Sequence, residues 1–433
     1  MTEIVLVGTI AIVAMLVLMA LSVPVAVAMA LPALVGVIYV LDPNVLAASI
    51  DSIFVNHAAS YPLVTIPLFV LMGEILYESG LTAKLYDAVR VWFGRVRGGL
   101  AFSSIGASAM FAASSGSSVA TTSTMGVVAS KEMLNAKYDQ RLISGAIVAG
   151  GGLGILIPPS TIMIVYGTIA EESIGKLLIA GLVPGILLAL LLMVTVAVIV
   201  AIRPSFGPGG DPATYAEKFR SITPIFAIGI LFVLVVGAMY SGFASPTESA
   251  AVGVAGAIII AAVRRSLSLA NLLSAVARAV RTTGFIFAII LGSFMLNYLL
   301  AITRIANNLA SFISGIAAPT AVIFAAIVVL YLILGAFMDA FAMVVITVPI
   351  MLPIVDALNL DPIWFGVIVV LMVEMALITP PVGMNNFILH GVAPQLKLGN
   401  IMKGAVVFCI PILATVVLLY IFPEIALFLP SRM

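Results

Sequence analysis

The chain has 433 residues, of which 63% are hydrophobic and only 9% charged, and its mean hydropathy is +1.29. An ordinary soluble domain carries roughly 25% charged residues, so this composition excludes a soluble enzyme, a nucleic-acid binder and a disordered chain. The net charge of +1 points to no partner. What remains is an all-α polytopic membrane protein with almost no room for an extramembrane domain. The single Cys409 excludes an internal disulfide framework, and two histidines, His57 and His390, leave little material for zinc.

In chain order, residues 4–41 contain no charge over 38 positions, enough for two helices of about 20 residues each. Ser22-Val23-Pro24 is the expected break between them, and no basic n-region marks a secretory signal. Further apolar spans are expected at 61–77, 142–170, 177–202, 222–240, 250–263, 284–301, 362–391 and 405–422. Residues 84–97 and 266–281 mix apolar and basic positions, as helices lying at the interface do, and Trp92 fits an interfacial belt. The longest polar stretch, 203–220, holds Gly207-Pro208-Gly209-Gly210 and reads as a linker between halves. Ser245-Pro246-Thr247-Glu248 is the pattern of a capping box with proline at the first helical position.

With Met1 outside, sixteen of the nineteen basic residues fall inside, leaving only Lys176, Arg304 and Arg432 outside. Residues 98–130 carry no charge, yet Arg95, Arg97 and Lys131 put both flanks inside, so this segment turns back. Its middle, Ser114-Ser115-Gly116-Ser117-Ser118, is a poor helix centre and the expected tip of a re-entrant hairpin. Residues 305–355 have no Lys or Arg and break at Gly335-Ala336-Phe337-Met338-Asp339. That predicts a second hairpin, about 317–355, inserted from the opposite face.

Shifting the first half by about 222 residues superposes Ile157-Pro158-Pro159-Ser160 on Thr379-Pro380-Pro381-Val382 and Ser117 on Asp339. Similar hydropathy with opposite flanking charge predicts an inverted-topology repeat. Residues 1–220 form the first unit and 221–433 the second, with about ten to twelve transmembrane helices and scaffold and transport parts interleaved across both. Unwound backbone persists in a bilayer only against protein or a wet cavity. Two tips and two Pro-Pro breaks therefore predict a secondary transporter, with tip oxygens replacing the hydration shell of a cation and half-helix N-termini facing an organic anion.

Five motifs carry a resemblance: Ser114-Ser115-Gly116-Ser117-Ser118-Val119-Ala120-Thr121; Gly151-Gly152-Leu153-Gly154-Ile155-Leu156-Ile157-Pro158-Pro159-Ser160; Ala180-Gly181-Leu182-Val183-Pro184-Gly185; Ser245-Pro246-Thr247-Glu248; and Ile378-Thr379-Pro380-Pro381-Val382-Gly383-Met384-Asn385. In this order they resemble the large membrane subunit, DctM-like, of tripartite ATP-independent periplasmic (TRAP) transporters, from about residue 4 to 422. The resemblance implies an elevator-type fold of the ion-transporter superfamily in the bacterial inner membrane, where the distribution of basic residues puts the N-terminus on the periplasmic side. It also implies sodium-driven import of organic acids: dicarboxylates, keto acids, sugar acids or sulfonates. The partners would be a small four-helix membrane subunit and a soluble periplasmic substrate-binding protein. Carried onto this chain, one sodium site would use Ser114 and Ser117 with Gly335 and Phe337, and a second Thr379, Gly383 and Met384. Candidate substrate contacts are Ser115, Ser118, Pro159, Ser160, Asp339, Asn385 and Asn386.

Other readings of these residues stay open. Asp339, an acid at membrane depth, binds ion or substrate or caps the second hairpin leg. Asn385 and Asn386 bind ligand or satisfy backbone freed by the break. Glu374 pairs with another helix or serves transport, Glu74 and Glu78 are solvated at the interface, and His390 is a satisfied bundle histidine or a proton relay. No Walker A lysine, His-Glu-x-x-His motif or Cys/His cluster appears, and no histidine accompanies a serine nucleophile, so no enzyme is expected. Two alternatives remain: a single-chain sodium/dicarboxylate symporter of the same two-hairpin fold, and a membrane anchor that moves no solute.

Overall fold

The computed structural model of the chain describes residues 2–41, 60–210, 213–315 and 318–433, and no strand occurs among them. His57 and its outer loop lie outside the described residues. Eight helices among the described residues are long and apolar enough to cross a membrane, and four shorter apolar helices accompany them.

The first half opens with α1 (Thr2–Ala20) and α2 (Val25–Val40), divided as expected just before Pro24. Next come α3 (Thr65–Glu78), preceded by a 3-10 turn, and the amphipathic α4 (Leu81–Phe93). The first hairpin is α5 (Gly99–Ser115) and α6 (Ser118–Asn135), packed on each other. The span expected at 142–170 is two helices, α7 (Gln140–Gly152) and α8 (Thr161–Ala170), with a 3-10 turn and non-helical backbone between them. A short α9 (Ile174–Ala180) leads into α10 (Leu182–Ile202).

The second half runs through α11 (Tyr215–Tyr240), α12 (Pro246–Val263), α13 (Leu269–Thr303), α14 (Ile305–Ser314), α15 (Thr320–Gly335) and α16 (Ala340–Ala357). It ends with α17 (Pro362–Ile378), α18 (Met384–Val392), α19 (Leu398–Ile421) and α20 (Glu424–Leu427). Adding 222 to the bounds of α5 and α6 gives those of α15 and α16 to within two residues. The first residue of α7 maps on that of α17, and the last of α8 on that of α18. The legs differ in packing: α15 lies mainly on α17, while α16 lies on α14 and α8.

Two expectations need correction. Residues 266–281 do not form a separate surface helix; α13 runs unbroken for 35 residues. Nothing in 269–303 stops a helix: it contains no proline, and of its two glycines Gly284 stands in open space while Gly292 packs on the Ala26 carbonyl of α2. At 1.5 Å per residue α13 is about 52 Å long, so it outreaches a hydrocarbon core of about 30 Å. Nor is 203–220 a free linker. The Gly98 amide donates to the Gly207 carbonyl (2.9 Å), the Gly210 amide to Gly94 (2.9 Å) and the Asp139 amide to Phe206 (3.0 Å), docking the segment beneath the first hairpin. The Thr214–Glu217 capping box then starts α11 inside the polar stretch.

The broken helices form the core. Every residue of α7 from Leu142 to Gly152 is buried, and every residue of α17 from Trp364 to Ile378. A helix crossed on all sides needs small residues at the crossings. Gly145 lies beneath the Phe408 ring, Gly151 meets Thr122 of α6, Gly152 meets Glu374 of α17, and Gly404 of α19 rests on the Arg141 carbonyl. Lipid-facing helices such as α1, α10 and α11 instead expose leucine, isoleucine and valine.

Candidate functional site

The tip of the first hairpin follows from backbone chemistry. Gly116 ends α5 with φ +60°, a conformation that costs an L side chain about 1–2 kcal/mol. Ser117 then caps α6, its hydroxyl accepting from the Ala120 amide at 3.3 Å. The first broken element receives this tip. Gly116 sits directly on the Pro159 carbonyl, and Gly154 on the Ser117 carbonyl. Thr161 Oγ1 donates to the Gly116 carbonyl at 3.0 Å. Ser160, a candidate substrate contact, is fully buried and instead caps α8 by accepting from the Met163 amide at 3.2 Å.

The second break is satisfied from within. Gly383 has φ +42°, the Asn386 amide donates to the freed Ile378 carbonyl at 2.9 Å, and Thr379 Oγ1 donates to the Met375 carbonyl at 2.6 Å. Asn385 ties this element to the first hairpin: its Nδ2 donates to Ser118 Oγ at 2.7 Å, with Val148 O 3.4 Å away. At the second tip, Gly335 packs on Ala376 of α17. Asp339 is not an uncompensated acid. Its Oδ1 accepts from the Phe341 and Ala342 amides at 2.9 and 3.1 Å, because the first turn of α16 leaves those donors without partners.

The elements enclose a cavity of about 330 Å³ lined by Ser117 and Ser118 of the first tip, Asp339 of the second, Thr161 and Met384. Phe285 and Phe341 close one side, their rings edge to face at 6.4 Å. A second cavity of about 420 Å³ shares Ser117 and Thr161 and extends past Ser115 and Ser123 to Glu74 and Arg278. Ser117, Ser118, Thr161 and Asp339 are thus the polar residues lining a largely apolar cavity between the two tips and the two breaks.

Not every candidate faces this space. Ser114 is fully buried and donates back to the Phe111 carbonyl at 2.8 Å. Ser115 borders only the second cavity and shares a hydrogen bond with Thr121 at 3.2 Å. Phe337 is 78% exposed and lines neither cavity, and the Thr379 hydroxyl turns to Met375 and Cys409.

Glu374 pairs with no helix: it is fully buried and neither carboxylate oxygen has a partner among the described residues. Glu74 and Glu78 are not left to solvent, since Arg278 binds both, its Nε 2.7 Å from Glu74. His390 is satisfied by the Leu396 carbonyl at 3.0 Å. The Ser245–Glu248 capping box forms in both directions. Residue patterns missed Thr161, although it directly follows Ser160 in a quoted motif, and missed Arg278, whose partners lie 200 residues away.

The family profile described as "Tripartite ATP-independent periplasmic transporter, DctM component" matches residues 12–425. The sialic acid TRAP transporter permease SiaT of Haemophilus influenzae is 33% identical over 389 residues, 90% of this chain and 62% of that protein. The chain therefore spans less than two thirds of that relative's length. The C4-dicarboxylate TRAP transporter large permease DctM of Pseudomonas aeruginosa is 32% identical over 372 residues, 86% of each chain. The solved YdaH transporter of Alcanivorax borkumensis covers 90% of this chain and 89% of its own with a TM-score of 0.63. At 15% identity, that likeness is one of fold. The family is one of transporter permease subunits and not of enzymes. Broken helices seated on a hairpin tip, and a match over nearly the whole length, lead to one conclusion: this multi-span chain belongs to the DctM family of TRAP transporter large permeases.

Proposed function

We propose that the chain is the translocation subunit of a sodium-coupled secondary importer of small organic acids, working by an elevator mechanism in the bacterial inner membrane. The observation that carries this reading is the shared cavity, to which both tips contribute beside both broken helices. Relatives are named for sialic acid, C4-dicarboxylates, isethionate and 2,3-diketo-L-gulonate, all acids. In this reading α5–α8 and α15–α18 move as one body against a scaffold of the remaining spans. Sodium sits at the tips and breaks, bound largely by backbone oxygens. A small membrane subunit and a periplasmic binding protein complete the transporter and deliver substrate.

Reconstitution with both partners tests this reading. Uptake of radiolabelled acids, one from each relative class, should follow an imposed sodium gradient and fall at least tenfold when potassium replaces sodium. Equal uptake in both salts would remove the sodium coupling, and full activity of the lone chain would favour a single-chain symporter.

The elevator also requires the hairpins to insert from opposite faces, with the N-terminus periplasmic. Cys409→Ser leaves no cysteine, and Asn135 and Ala321 are exposed at the hairpin bases. In intact cells a membrane-impermeant thiol reagent should label Ala321→Cys and spare Asn135→Cys until the membrane is opened. Labelling of both from one side contradicts the inverted repeat.

A further inference from the structure

Away from both tips, α7, α10 and α19 bound a groove of about 360 Å³. Arg141, Arg203 and Lys403 line one end of it, and Ile199, Ile202 and Val407 form an apolar wall. Arg141 is already engaged: its Nε and Nη2 each donate to the Asp139 carboxylate at 2.9 Å. Those bonds hold the Asp139 carboxyl below its ordinary range. Arg203 and Lys403 are exposed and form no ion pair among the described residues. The Phe206 ring fixes the edge of the site, with the Arg141 and Arg203 guanidinium carbons 4.6 and 5.3 Å from its centre.

The register gives these charges a direction. Lys403 and Val407, four residues apart, share one face of α19, and Arg203 caps the C-terminal end of α10 next to Ile199 and Ile202 in the groove lining. Lys403 therefore stands one helical turn, about 5.4 Å, from the apolar Val407, and Arg203 directly follows the apolar Ile202 at the end of α10. Ile202 is 74% exposed beside them. Cations at the membrane surface with an apolar wall running inward match the layout of a phospholipid, and unpaired basic groups between spans favour an anionic headgroup.

We propose that this groove binds one anionic phospholipid, its phosphodiester held by Arg203 and Lys403 and an acyl chain lying along Ile199, Ile202 and Val407. The site stands on the membrane fold alone and does not depend on the transport reading.

Native mass spectrometry of delipidated protein in neutral detergent tests it, with phosphatidylglycerol, phosphatidylcholine of the same chains and inorganic phosphate as probes. Phosphatidylglycerol should bind at least about tenfold more tightly than phosphatidylcholine. The double variant Arg203→Gln/Lys403→Gln should lose at least about tenfold of that affinity, since each surface cation contributes about fivefold toward an anionic lipid. Ile202→Asn, which keeps both charges, should also weaken phosphatidylglycerol binding and so separates an acyl contact from a bare anion site. Undiminished lipid binding in both variants would overturn the proposal. So would inorganic phosphate displacing the lipid at equal concentration, which would identify a free-anion site.

Discussion

Gly116→Ala should lower uptake at least tenfold in the reconstituted transporter. Two effects add at this position. Its φ of +60° costs a side chain about 1–2 kcal/mol, and the new methyl would land on the Pro159 carbonyl oxygen. That oxygen is backbone and cannot rotate aside, so the tip must lift from the break and stretch the Thr161 bond to the Gly116 carbonyl. Forced overpacking of this kind costs typically about 1–3 kcal/mol, and a shift of 1.4 kcal/mol is already about tenfold in any equilibrium that requires a seated tip. Gly80 separates the two causes. It has φ +67° but nothing within 4 Å of where a Cβ would stand. Gly80→Ala should therefore lower the melting temperature while uptake stays within about twofold of wild type. Wild-type uptake in Gly116→Ala would show that a seated tip is not needed for transport.

Asn385→Leu should have the next largest effect. Asn385 is fully buried, and its amide reaches Ser118 of the first hairpin from a helix 267 residues further along the chain. Leucine fills a similar volume but leaves the Ser118 hydroxyl without this donor, at a cost of about 1–3 kcal/mol for a buried group. The melting temperature should fall, and uptake should drop about tenfold, because the first tip loses its tie to the second broken element. Asn386→Leu is the matched comparison. It orphans the Ile378 carbonyl inside its own break, so it should destabilise to a similar degree and leave the Ser118 tie in place. Uptake by Asn385→Leu equal to that of Asn386→Leu, at equal stability, would show that the tie between halves carries no functional weight.

The sequence by itself determined where the backbone must leave the helix. A run of serine and glycine at 114–118, and Pro-Pro at 158–159 and 380–381, act on φ, ψ and amide donors of their own residues, so their consequences are local. The same holds for the cap at Ser245 and the capping alternative for Asp339, whereas Ser117 and Ser160, read from the sequence as ligands, also open the helices that follow them. The membrane class needed only the cost of transferring charge into hydrocarbon, a property of composition.

Only the tertiary structure decided which of these local features meet. Arg278 takes Glu74 and Glu78 from a helix 200 residues earlier, Asn385 reaches Ser118, Phe206 and Gly207 dock beneath the first hairpin, and Glu374 is sealed against Gly152 without a partner among the described residues. None of these pairings has a periodicity to read, because residues far apart in sequence are brought together only by the packing of whole helices. In an apolar chain nearly every helix face is compatible with lipid, so hydropathy does not choose the neighbour. The choice falls to shape: glycines at 145, 151, 152 and 404 admit close crossings over α7 and thereby set which side chains face the cavity.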